Sequence, residues 1–185
     1  MRLRTLLRHI LGYLIGGGVF LVGIPCVIYL ASTALDPLLP RGVLPIAPIR
    51  ISLALVMGAI GIGFALWSNA WLLFVGKGGP TDAFGVAVSP RAQRLVTTGP
   101  YRYTRNPMAF GALCIYLGVA PYLDSLTGLA IVAVLVLGAV PYLKLTEEKR
   151  LLRDFGQEYE DYRSAVSMLV PWPWSLGGNR ARIRV

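Results

Sequence analysis

The chain has 185 residues, of which 55% are hydrophobic and only 15% charged, with a formal net charge of +9. A soluble domain carries nearer a quarter charged residues, so this composition excludes an ordinary water-facing surface and points to lipid as the solvent of a single 1–185 domain. The positive charges flank apolar runs, which fits an anionic lipid surface more simply than nucleic acid.

A spanning helix needs about 20 apolar residues. The first such run covers about residues 10–31, behind Arg2, Arg4 and Arg8. Its basic start resembles a signal peptide, but the apolar part exceeds the 7–15 residues of a signal core, so a retained helix is expected. Prolines 37, 40, 45 and 48 then define a loop, because proline lacks the backbone donor that a helix needs. A second helix is expected over 51–75. Residues 76–106 form the longest polar stretch, a loop punctuated by Gly76, Gly78, Gly79, Pro80, Pro90 and Pro100. A third, short helix is expected over 108–123, a tight turn at Asp124-Ser125, and a fourth helix over 126–143.

The tail, 146–185, begins as a helix. Leu151, Phe155, Tyr159 and Tyr162 recur at helical spacing on one face, Gly156 offers a kink, and such a helix can lie along the membrane surface. Trp172 and Trp174 add interfacial aromatics, and Arg180, Arg182 and Arg184 suit anionic headgroups. The expected fold is therefore all-α: a polytopic membrane bundle of about four transmembrane helices plus an amphipathic interfacial helix. With four spans, all Lys and Arg except Arg41 and Arg50 fall on one side. The positive-inside rule puts that side, with both termini, the 76–106 loop and the tail, in the cytosol. The preference for arginine over lysine suggests a prokaryotic plasma membrane.

His9 has no partner for Ser-His-Asp catalysis, and with Cys26 and Cys114 it makes no four-ligand zinc set. No metal is expected, and both cysteines read as small buried apolar residues. Two segments could carry chemistry. In the run from Leu95 to Met108, Pro107 suits a first helical position and Asn106 the cap before it. The free N–H groups of that helix start attract an anion. The same residues also read simply as a capped helix with arginines on lipid phosphate. In the run Lys144 to Arg150, Glu147 and Glu148 stand where a helix leaves the membrane. Ionisable groups there have either a task or a partner.

LVTTGPYRYTRNPM, followed about forty residues later by EEKRLLRDFGQEYEDYRSAV, resembles the isoprenylcysteine carboxyl methyltransferase family, which groups with the phospholipid N-methyltransferases. The resemblance covers about residues 75–172. It implies S-adenosylmethionine as cofactor, bound on the cytosolic side between the two motifs, and a membrane lipid or lipid-like substrate. It implies cofactor contacts from Gln93, Arg94, Leu95, Val96, Tyr101, Asn106, Pro107, Met108, Ala109 and Glu147. Arg105 and Glu148 are the implied catalytic residues, and Lys144 the implied substrate contact. Asn106 stands where many members have histidine. Ala109 replaces an aromatic, with Phe110 the nearest substitute, and Leu143 replaces the arginine of the eukaryotic enzymes.

If the acceptor is a carboxylate, it meets a sulfonium directly and needs no base. If it is an amine, Glu148 or Tyr101 is the candidate base. Two other readings stand beside this one. Sterol-reductase-like membrane enzymes share an Arg-His-Pro and Tyr-x-x-Tyr pattern and use NADPH. A non-enzymatic lipid-binding protein would keep the fold without the chemistry.

Overall fold

The computed structural model describes residues 3–39, 42–79, 82–83, 86–87, 90 and 92–172. Trp174 and Arg180, Arg182 and Arg184 lie outside the described residues. The first helix is longer than its apolar run suggests. Helix α1 (Leu3–Gly17), a π-helical segment (Gly18–Gly23) and α2 (Ile24–Leu35) follow without a break and end in a 3-10 turn at Asp36–Leu38. A wide turn just ahead of Pro25 relieves the clash of a proline ring with the preceding carbonyls.

After the proline loop, α3 runs from Ala47 to Phe74. The 76–106 segment holds one two-residue antiparallel ladder, β1 (Asp82–Ala83) with β2 (Val86–Ala87), where loop alone was expected. A 3-10 turn at Gly99–Arg102 leads to α4 (Pro107–Tyr122). Asp124 turns the chain at a φ of 55°. Helix α5 (Leu126–Tyr142) starts at Ser125, whose side chain accepts the N–H of Gly128.

Helix α5 does not stop near residue 143. It continues through a π-helical turn (Leu143–Glu148) into α6 (Lys149–Phe155). Charged residues end an apolar run, but they do not end a helix. The stop comes at Gly156, whose φ of +55° combined with a ψ of −127° is a conformation only glycine adopts without strain, and α7 (Gln157–Ala165) leaves in a new direction.

Three helical stretches, Ile10–Leu38, Ala47–Phe74 and Leu126–Phe155, are long and apolar enough to cross a membrane. Helix α4 has 16 residues, about 24 Å at 1.5 Å per residue, which falls short of the hydrocarbon thickness. Leu55, Leu66, Phe74 and Leu137 point outward and are mostly exposed. An apolar surface of that extent belongs in lipid, so the chain is a membrane helix bundle, as its composition indicates.

The bundle is held differently at its middle and its two ends. In the middle, α3 and α4 approach through glycine. A Cβ on Gly61 would lie 2.5 Å from the Gly111 carbonyl, and one on Gly111 would lie 2.7 Å from the Gly61 carbonyl. Small residues that let backbones meet are the usual means of helix association where lipid offers no hydrophobic drive. Gly58 and Gly63 face open space instead. Ile28, Tyr116, Ala120 and Val132 form the buried core among α2, α4 and α5. Cys114 is buried as expected, but Cys26 faces outward.

One end is closed by polar contacts. Arg50 pairs with Asp124 at 2.9 Å, the Ser32 and Ser125 hydroxyls are 2.6 Å apart, and the Thr127 N–H donates to Asp36 at 3.0 Å. The other end, where α3 stops, α4 starts and α5 passes into α6, carries the candidate site.

The candidate active site

The segment before α4 is pinned to α3 by its glycine. Gly99 has a φ of +62°, and a Cβ there would fall 2.4 Å from the Trp71 indole nitrogen. The turn that follows buries Pro100 and Tyr101. Trp71 donates to the Thr98 hydroxyl at 3.3 Å, and the Gln93 N–H donates to the Gly76 carbonyl at 2.8 Å. These contacts hold residues 93–101 across the end of α3.

From the other side comes the α5–α6 helix. Leu143, Glu147, Arg150, Leu151 and Asp154 all reach one cavity, at the steps of three and four that define a helical face. The cavity has a volume of about 240 Å³. Its remaining walls include Leu72, Tyr142, Phe155 and Tyr162. Ten of the residues singled out from sequence meet there: Arg94, Leu95, Val96, Tyr101, Arg105, Asn106, Pro107, Met108, Ala109 and Glu147. The two sequence motifs, some forty residues apart, thus face each other across one space.

Three singled-out residues do not line it. Gln93 ties the loop by its backbone. Lys144 is exposed and lies outside the cavity wall. Glu148 is buried behind the wall, 2.6 Å from Arg105, with each side chain only 10% exposed. Arg163 stands 3.7 Å from the other oxygen of Glu148. The adjacent glutamates therefore have different partners, since Glu147 pairs with Arg150. Asn106 occupies the position before α4, yet its side chain makes no cap. The amide donates to the Met168 carbonyl at 2.8 Å instead. Phe110 does not replace the missing aromatic: its ring packs edge-on against Phe64 at 4.9 Å. Phe155, from the facing helix, reaches the cavity beside Tyr101, Tyr142 and Tyr162.

The apolar face of the tail helix is covered by protein rather than laid on lipid. Tyr159, Tyr162 and Val166 are buried against Leu95 and Leu151, and the Tyr162 hydroxyl donates to the Tyr101 carbonyl at 2.6 Å. Burial pushes the phenols of Tyr101 and Tyr162 well above the usual tyrosine range. Both stay neutral and can donate, which removes Tyr101 as a base at ordinary pH. Sequence reading missed Asp154, Leu151 and Phe155 as cavity residues. Their spacing from Glu147 was visible, but the same pattern also describes a helix resting on a membrane.

A membrane helix bundle with two motifs facing each other across a cavity at the end where α4 starts is the class that fold and site define. The chain belongs to the phospholipid methyltransferase family, whose model matches residues 49–158. It thereby joins a group of membrane methyltransferases. The nickel-cobalt-cadmium resistance protein NccN of Alcaligenes xylosoxydans xylosoxydans is 30% identical over 152 residues, 76% of this chain and 70% of NccN. A methanethiol S-methyltransferase of Mycobacterium tuberculosis is 34% identical over 73 residues, 40% of this chain but only 29% of that enzyme.

Proposed function

We propose that this protein transfers a methyl group from S-adenosylmethionine to a hydrophobic acceptor that reaches the site from the membrane, at the cytosolic face. The observation that carries the reading is the cavity shared by the two motifs, at the end where α4 starts and α5 passes out of its apolar stretch. The donor set suits the cofactor. The aliphatic and aromatic walls of Leu95, Val96, Tyr101 and Phe155 would take an adenine ring. Met108 and Ala109 are the second and third residues of α4, where N–H groups have no intrahelical acceptor and favour a carboxylate. Glu147 and Asp154 supply negative charge for ammonium and sulfonium. When bound, the cofactor supplies an electrophilic methyl group.

The chain's own residues would orient that methyl and keep water out, and positioning of this kind accounts for much of methyl transfer. Arg105 and Glu148 support this as a buried pair that shapes the wall. Glu148 is engaged with Arg105 and Arg163 and does not face the cavity, so it is not the base. Of the cavity guanidiniums, Arg105 and Arg150 already have carboxylate partners and Arg94 is exposed to solvent, and Leu143 contributes an apolar surface. This arrangement favours an uncharged nucleophile, a thiol or amine, over a carboxylate. Its proton would pass to Glu147 or Asp154. The Mycobacterium relative named for methanethiol S-methylation is in keeping with a thiol.

Calorimetric titration of detergent-purified protein with S-adenosylhomocysteine tests the reading, with NADPH in parallel. Micromolar binding of the former alone, weakened in Glu147→Ala and Tyr101→Ala, is expected. Binding of NADPH alone would move the protein to the reductase class, and equal affinity in both variants would refute the site.

A further inference from the structure

Among the described residues, the stretch beyond α7 belongs to no helix or strand, yet several of its backbone groups are bonded to the first motif. Val166 is extended, with φ −124° and ψ 135°, and residues 167–172 form neither helix nor strand. Backbone groups in such a stretch must find donors and acceptors elsewhere. They find them in four consecutive residues of the first motif. The Arg105 N–H donates to the Ser167 carbonyl at 2.9 Å, and the Trp172 N–H donates to the Tyr103 carbonyl at 3.0 Å. The Arg105 Nε donates to the Val166 carbonyl at 3.0 Å. The Asn106 amide donates to Met168 at 2.8 Å. The Thr104 hydroxyl, in a residue with no exposed surface, lies 2.9 Å from the Leu169 carbonyl and 3.2 Å from that of Met168. The same oxygen accepts the Asn106 N–H at 3.3 Å.

We propose that Val166–Trp172 is a strap that sets the start of α4 against the Glu147 helix, and that Thr104 and Asn106 are its positioning residues. The proposal rests on the cofactor reading above. The residues tied to the strap end at Asn106, and Pro107, Met108 and Ala109, which line the cavity, follow at once. These hydrogen bonds therefore act on the α4 start, ahead of its glycine contact with α3 at Gly111. A threonine hydroxyl is suited to the task because one oxygen donates outward and accepts from its own chain. Valine keeps the shape and removes both functions. The Leu169 carbonyl then loses its donor, the hydroxyl of a residue with no exposed surface, while that of Met168 keeps the Asn106 amide.

The test is titration of full-length protein with S-adenosylhomocysteine, well below the unfolding temperature, with melting of the same samples. Thr104→Val is expected to weaken binding about tenfold or more, and Thr104→Ser to restore it to within about threefold of wild type. A merely structural threonine would lower the melting temperature of Thr104→Val and leave its affinity unchanged, and that result overturns the strap. If Thr104→Val does not accumulate, Thr104→Ala, which also removes the hydroxyl, takes its place. A loss of about fivefold or more supports the strap, and unchanged affinity overturns it. Absence of binding by wild type overturns the cofactor reading itself, and the strap with it.

Discussion

The Arg105 guanidinium and the Glu148 carboxylate meet at 2.6 Å with both side chains 10% exposed, and the Tyr159 hydroxyl, 3.2 Å from the same guanidinium nitrogen, completes the contact. This pair joins the loop before α4 to the end of the α5–α6 helix. Removing one member leaves the other charge buried without its partner, which costs about 3–5 kcal/mol, whereas replacing both by apolar residues is often nearly neutral. Glu148→Gln and Arg105→Met should therefore each destabilise strongly, and Arg105→Met/Glu148→Leu by clearly less than the two together. Denaturant titration in detergent measures the cycle, and additive losses would refute the pairing.

The glycine contact between α3 and α4 makes a second prediction. Gly61→Val places side-chain atoms against the Gly111 carbonyl, where even a Cβ would lie 2.5 Å away. It should destabilise by about 1–3 kcal/mol through forced separation of the helices. Gly58→Val, one turn away and facing open space, should be close to neutral. Comparison of their thermal unfolding checks this, and equal losses would count against the observed helix rotation.

Alkaline pH should loosen the site end. The phenols of Tyr101 and Tyr162 titrate above the ordinary value of 10.0 because burial penalises phenolate. Their folded pKa values exceed the unfolded ones, so the stabilisation is complete below pH 10 and is lost as pH rises above it. Tyrosinate absorbance should show these two residues ionising only as the fold opens. Early ionisation of all nine tyrosines would contradict their burial.

The proposed topology is open to a direct check. Sixteen of the eighteen Lys and Arg would lie in the cytosol. A fluorescent protein fused after Val185 should fluoresce in a bacterial host, and alkaline phosphatase inserted beside Val43 should be active. The reverse pattern would invert the orientation and place the cavity on the outer face.

Much of this protein is legible in its sequence. Apolar runs and proline clusters locate the three stretches long enough to cross a membrane and the shorter α4, because in lipid every backbone group must be satisfied within a helix and length follows from bilayer thickness. Helix ends are less legible. The runs near 31 and 143 stop where hydrophobicity stops, but the helices continue to Leu35 and Phe155, since charge alone does not break hydrogen bonding. In the site, residues of both motifs line one cavity. Lys144 and Glu148 do not reach the cavity, and Asp154 and Phe155 do.

Composition and periodicity by themselves determined that the chain is a membrane helix bundle and where its apolar helices lie, because solvent preference is a property of each residue and each short run. Only the tertiary structure decided which carboxylate meets which arginine and which face of the tail is covered. It also decided that Asn106 serves the strap rather than the helix cap. Those choices depend on groups some forty to sixty residues apart being brought within hydrogen-bonding distance, and no local pattern records that distance.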